Sequence, residues 1–69
     1  MRVISSDQSI VTETRTLSYR VDEATGNCLI MTAEGYGLEV FENHGQARER
    51  MAEVFGATKT GRGWFDFSE

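Results

Sequence analysis

One stretch of this chain, Tyr36 to Gly56 (YGLEVFENHGQARERMAEVFG), constrains the fold more than any other. It is the only segment in which a helical period, a start signal and a stop signal agree. Asn43 suits an N-cap, because its side-chain oxygen can accept from an orphan N–H of the first turn. Gln46, three residues on, completes a capping-box pattern. Ala47, Met51, Val54 and Phe55 fall at i, i+4, i+7 and i+8 and form one apolar stripe. Arg48, Glu49, Arg50 and Glu53 take the outer face. Gly56 stands where a C′ residue would end the helix. About twelve helical residues span about 18 Å, close to the roughly 20 Å of a six-residue strand. The helix is therefore sized to lie across a sheet.

The sheet is read from period-two alternation. From Thr16 onward, Leu17, Tyr19 and Val21 share one face, and Thr16, Ser18 and Arg20 share the other, the pattern of a half-buried strand. Ile10–Thr12 either extends this strand or forms a separate one. Asp22–Asn27 is a turn in which Gly26 and Asn27 tolerate positive φ. The run 28–33, CLIMTA, is apolar on both faces, which suggests a central strand. With one helix available, its second face is a candidate dimer surface. Strand 36–41 follows, with Leu38 and Val40 on one side and Glu39 and Phe41 on the other. After the loop 58–63, the sequence Trp64-Phe65-Asp66-Phe67 reads as a last strand with both phenylalanines on one face. Residues 1–9 read as a frayed end or a short edge strand over 2–5. The expected fold class is α+β: a three- to five-stranded, mainly antiparallel sheet in the order β-β-β-α-β, with one helix packed on one face.

Sixty-nine residues make one small domain over 1–69, and domains of this size are marginal unless something staples them. A single cysteine, Cys28, cannot form an internal disulfide. One cysteine with one histidine falls short of a zinc site. Packing and self-association remain, so a homodimer is one expected partner state. The single thiol and the lack of a signal-peptide pattern point to the cytoplasm. The longest apolar run, Cys28–Met31, is far below the ~18 residues of a membrane span. The formal net charge of −4 is spread over both halves with no basic cluster, which argues against non-specific nucleic-acid binding.

No catalytic, cofactor-binding or metal-binding motif is present. His44, in the first helical turn, would need a nucleophile and an orienting acid to act as a base, and nothing in the spacing enforces either. Cys28 reads as a small core hydrophobe. The carboxylates are scattered over solvated faces, with Glu49 and Glu53 as an i, i+4 pair. Gly61-Arg62-Gly63 lacks the spacing of a phosphate-binding loop. The aromatic residues say more. Tyr19, Tyr36, Phe41 and Trp64 cannot all face the same side as Phe65 and Phe67, so some belong to a dimer interface, a partner surface or a base-stacking face. Two interaction surfaces follow. One is the charged helix face of Arg48, Glu49, Arg50 and Glu53; the other is the aromatic end around Tyr36, Arg62 and Trp64.

In size, acidity and small α+β design, the chain resembles many small phage or mobile-element proteins, among them anti-CRISPR inhibitors. That resemblance covers the chain's character and no residue pattern, so no site is carried over. It implies an inhibitor or regulator that binds a larger protein and occludes it without catalysis. The alternative expectation is a small nucleic-acid-binding domain that uses exposed rings and the Lys59–Arg62 loop.

Overall fold

The alternation between Leu17 and Phe41 becomes an antiparallel meander of β3 (Leu17–Val21), β4 (Cys28–Thr32) and β5 (Gly37–Phe41) in the computed structural model, which describes residues 1–69. Two short strands precede it, β1 (Arg2–Ile4) and β2 (Val11–Glu13). The helix α1 (His44–Lys59) and the strand β6 (Trp64–Asp66) follow it. The fold is α+β with one helix, as expected. The strands are six, however, and they form two sheets of three, in the orders β3-β4-β5 and β2-β1-β6.

The second sheet corrects the reading of the N-terminus. Residues 2–4 are neither frayed nor at an edge. They form the central strand of the small sheet, antiparallel to β2 and parallel to β6. Val3 is fully buried in the core, which a frayed end could not supply. The polar run after it is an ordered turn. Ser5 Oγ donates to Asp7 Oδ1 at 2.7 Å and accepts from the Ile10 N–H at 3.0 Å. Hydrogen bonds from Ser9 and then Ser5 hold the Asp7 carboxyl at about 2, below the 3.8 of a free aspartate.

Pairing sets which face of the meander is covered. Leu17, Tyr19 and Val21 lie opposite Thr32, Ile30 and Cys28, so these six share the helix side. Cys28, Ile30 and Thr32 are buried there, as the two-sided apolar strand suggested. A bulge breaks the expected alternation in β5. Ile30 pairs with Glu39 but Met31 pairs with Gly37, so Leu38 is the extra residue. It turns into the core at 2% exposure, while Val40, expected on the same side, stands opposite Leu29 on the outer face at 62%. Gly37 lets Leu29 close over it; a Cβ there would lie 3.3 Å from Leu29 Cδ1.

The helix starts as expected and stops later. Asn43 Oδ1 accepts from the Gln46 N–H at 2.9 Å. Gly56 does not end the helix. It lies inside α1, and the helix closes in a Schellman motif at Gly61, whose φ is +82°. There the Arg62 N–H donates to the Ala57 carbonyl and the Gly61 N–H to the Thr58 carbonyl, each at 3.0 Å. The extra turn moves the buried stripe to Ala47, Val54 and Ala57, with Met51 partly covered. Phe55, expected in the core, falls off the edge of this stripe and is 66% exposed.

The core gathers Val3 from β1, Ile30 and Leu38 from the meander, Val54 and Ala57 from α1, and Phe65 and Phe67 from the C-terminal segment. The two phenylalanine rings meet edge to face at 4.9 Å. Each large side chain buried here contributes about 1.5–3 kcal/mol. The sheets are joined through the backbone as well. The Ser6 N–H donates to the Leu38 carbonyl at 2.8 Å, while within the small sheet the Phe67 N–H extends the β1–β6 ladder to the Ile4 carbonyl at 2.9 Å.

Candidate interaction surfaces

The small sheet has one face in the core and one face bare. Its register puts Val3 and Phe65 inside and lines the outer face in two rows, Glu13–Arg2–Trp64 and Val11–Ile4–Asp66. Trp64 is 45% exposed and Val11 63%. After the Schellman turn, Arg62 reaches the β6 edge of this face, where its guanidinium also lies 5.8 Å from the inward Phe65 ring. Its guanidinium carbon sits 3.7 Å from the centroid of the Trp64 ring, a cation–π stack worth about 0.5–1 kcal/mol at an exposed site. The stack occupies the plane of the guanidinium and leaves its N–H edge without an acceptor in the chain. Beside it, Asp66 Oδ1 accepts from the hydroxyl of Ser68 at 2.6 Å and from its N–H at 2.8 Å. These bonds, helped by Arg50 and Arg62, hold its carboxyl below the usual carboxylate range.

Trp64 and Arg62 therefore come together as the sequence suggested. Tyr36 does not join them. It is half-exposed in the turn between β4 and β5, where its N–H donates to Thr32 Oγ1 at 3.1 Å. That turn belongs to the other sheet. The aromatic end splits into two places, because the chain builds two sheets rather than one.

The charged helix face also divides. Arg48 and Glu49 are exposed. Arg50 is not on the outer face; its side chain is only 16% exposed. It donates to Glu39 Oε1 at 3.1 Å, to Glu53, to the Phe67 carbonyl at 3.1 Å and to the Glu69 carbonyl at 2.7 Å. Its guanidinium also lies over the rings of Phe65 and Phe67 at 5.2 and 5.6 Å. Burial alone would lower its pKa, but the bonds to Glu53 and Glu39 outweigh it and raise the value. Arg50 thus holds α1 against β5 and the C-terminal segment, and Glu53 is paired to it within the helix. Only Arg48 and Glu49 remain free on that face.

Sequence reasoning missed Arg2, Ile4 and Val11 as neighbours of Trp64. The alternation in RVI and VTE was the available signal, too short to fix a partner strand across some sixty residues of chain.

The remaining reactive groups have structural partners. Nε2 of His44 lies 3.0 Å from the Tyr19 hydroxyl, with the two rings edge to face at 5.1 Å. Cys28 is enclosed by the core. No three His, Cys, Asp or Glu side chains converge as a metal site would require. No helix is long and apolar enough to cross a membrane.

Comparison with protein-family descriptions, with curated proteins and with solved structures finds no match for this chain.

Proposed function

We propose that this chain is a non-enzymatic, cytoplasmic protein-interaction module that binds a larger protein through the outer face of β2-β1-β6 and occludes it. It would work in the manner of the small phage and mobile-element inhibitors it resembles in character. The observation that carries this reading is the Arg62–Trp64 stack on a sheet face that nothing in the chain covers. Aromatic and arginine side chains in a mixed apolar and charged setting are the usual anchors of protein interfaces. A guanidinium already flattened on a ring loses little freedom when its edge meets a carboxylate. The partner surface that fits is an apolar contact for Trp64, Ile4 and Val11 beside an acidic group for Arg62.

The nucleic-acid alternative is weaker on this face. One side of the Trp64 ring is already taken by Arg62, and Glu13 and Asp66 lie among the same rows. Lys59, the other cation of the proposed loop, ends α1 with its ammonium 5.5 Å from the Phe55 ring.

The test is affinity capture from the source cell's lysate, with Trp64→Ala and Arg62→Glu run beside the native chain. Loss of the captured protein in both variants is expected, and capture unchanged in both would remove this face from consideration. A salt titration with labelled single- and double-stranded nucleic acid checks the rival. Binding at about 50 mM salt that falls steeply as salt rises would favour it.

A further inference from the structure

Every open sheet has edges, and unpaired edge backbone is a template for another strand. Three of the four edges here are blunted. β2 and β6 are three residues long, and β5 receives the Ser6 N–H at Leu38. β3 is different: five residues, without proline or a bulge.

The register shows which backbone groups it offers. The Asp22 N–H donates to Asn27, and the Ala33 N–H to the Thr16 carbonyl. Even-numbered residues of this strand therefore turn their N–H and C=O toward β4. Leu17, Tyr19 and Val21 turn theirs outward, and no group of the chain meets them. Their side chains lie on the helix side, but α1 packs on β4 and β5 and leaves this strand short of cover. Tyr19 is 37% exposed and Val21 45%.

We infer that β3 pairs antiparallel with β3 of a second copy of this chain, about a two-fold axis at Tyr19, to make a continuous six-stranded sheet. The self-complementarity of the strand selects this occupant. In that register Tyr19 faces Tyr19 of the second copy, and the outward N–H and C=O groups of all three residues are satisfied on both strands. Leu17 falls opposite Val21, so the partly buried leucine of one copy covers the exposed valine of the other. Ser18 falls opposite Arg20, so no like charges meet. Where the strands end, Arg15 comes beside Glu23 of the second copy, once on each side of the axis. This surface is on the other sheet from Arg62 and Trp64, so its outcome is independent of partner capture.

The test uses the full chain in sedimentation and amide hydrogen exchange over a concentration series. The expected result is a species of twice the chain's 7.8 kDa that grows with concentration. Exchange at Leu17, Tyr19 and Val21 should slow in step, while Ser18 and Arg20 are slow throughout. Arg15→Glu and Glu23→Arg should each weaken the dimer by about tenfold, and the double exchange should restore it. Synthetic chain carrying an N-methyl group on the Tyr19 amide keeps the side chain and the inner ladder, and should stay monomeric. A monomer at every concentration overturns the proposal. So does a dimer whose Leu17, Tyr19 and Val21 amides exchange freely, or one indifferent to the charge exchange.

Discussion

Arg50 shows how much of a small domain can rest on one polar residue. Four groups from three parts of the chain converge on its guanidinium, and two core rings lie against it. Removing it leaves Glu39, itself largely covered, without its partner. Arg50→Ala should therefore cost about 2 kcal/mol, tempered by the partial exposure of the pair. In a domain of this size that lowers Tm by roughly 8–16 °C. Arg50→Lys keeps the charge but not the planar fork, and should fall between the two. Arg48→Ala, on the exposed face, should change Tm little, and thermal unfolding of the three variants checks the order. The sequence placed Arg48, Glu49, Arg50 and Glu53 on one face because helical period alone was available. What period cannot show is that the C-terminal segment folds back over one side of that face and draws in Arg50 while leaving Arg48 in water.

At the scale of elements, the start of the helix was legible because a cap is local. Asn43 and the Gln46 N–H are three residues apart, and nothing distant decides whether they bond. Its end was not legible, because two glycines compete for the stop. Gly56 is followed by Ala57, Thr58 and Lys59, all compatible with helix, and Ala57 gains burial if the helix continues. Gly61 takes the left-handed conformation that ends it. The two glycines should respond oppositely to alanine. Gly56→Ala meets open space in a helix interior and should stabilise by about 0.5–1 kcal/mol. Gly61→Ala forces a Cβ into a positive-φ position and should destabilise by about 1 kcal/mol. Denaturant midpoints measured on both variants check the pair; a loss of stability in Gly56→Ala would place the stop back at Gly56. The β5 bulge was hidden for a related reason. Alternation predicts a straight strand, whereas burying Leu38 beside the Glu39–Arg50 pair requires one residue too many on that side.

The whole molecule is closed by its last strand. β6 enters parallel to β1, and Phe65 and Phe67 carry the core from the small sheet to the helix. The meander and the helix were readable from short-range pattern, and so were the inward phenylalanines. The division into two sheets was not, since it depends on a pairing between the first and last strands of the chain. Two phenylalanines test that arrangement at the scale of the fold. Phe55 sits in the helical stripe by sequence, while Phe67 sits in a strand-end tetrapeptide. A helix-on-sheet core of the expected kind would make Phe55 the more costly to lose. The structure reverses the order, with Phe67 at 1% exposure and Phe55 mostly in water. Phe67→Ala should cost about 3–5 kcal/mol, against a total stability of roughly 3–10 kcal/mol for a chain of this length. Its cooperative thermal transition should weaken or vanish. Phe67→Leu, which refills most of the space, should keep the transition at lower Tm. Phe55→Ala should stay within about 0.5 kcal/mol of the native chain. Calorimetry on the three variants decides it: a cooperative, native-like transition in Phe67→Ala beside a collapse in Phe55→Ala would mean that β6 does not close the core.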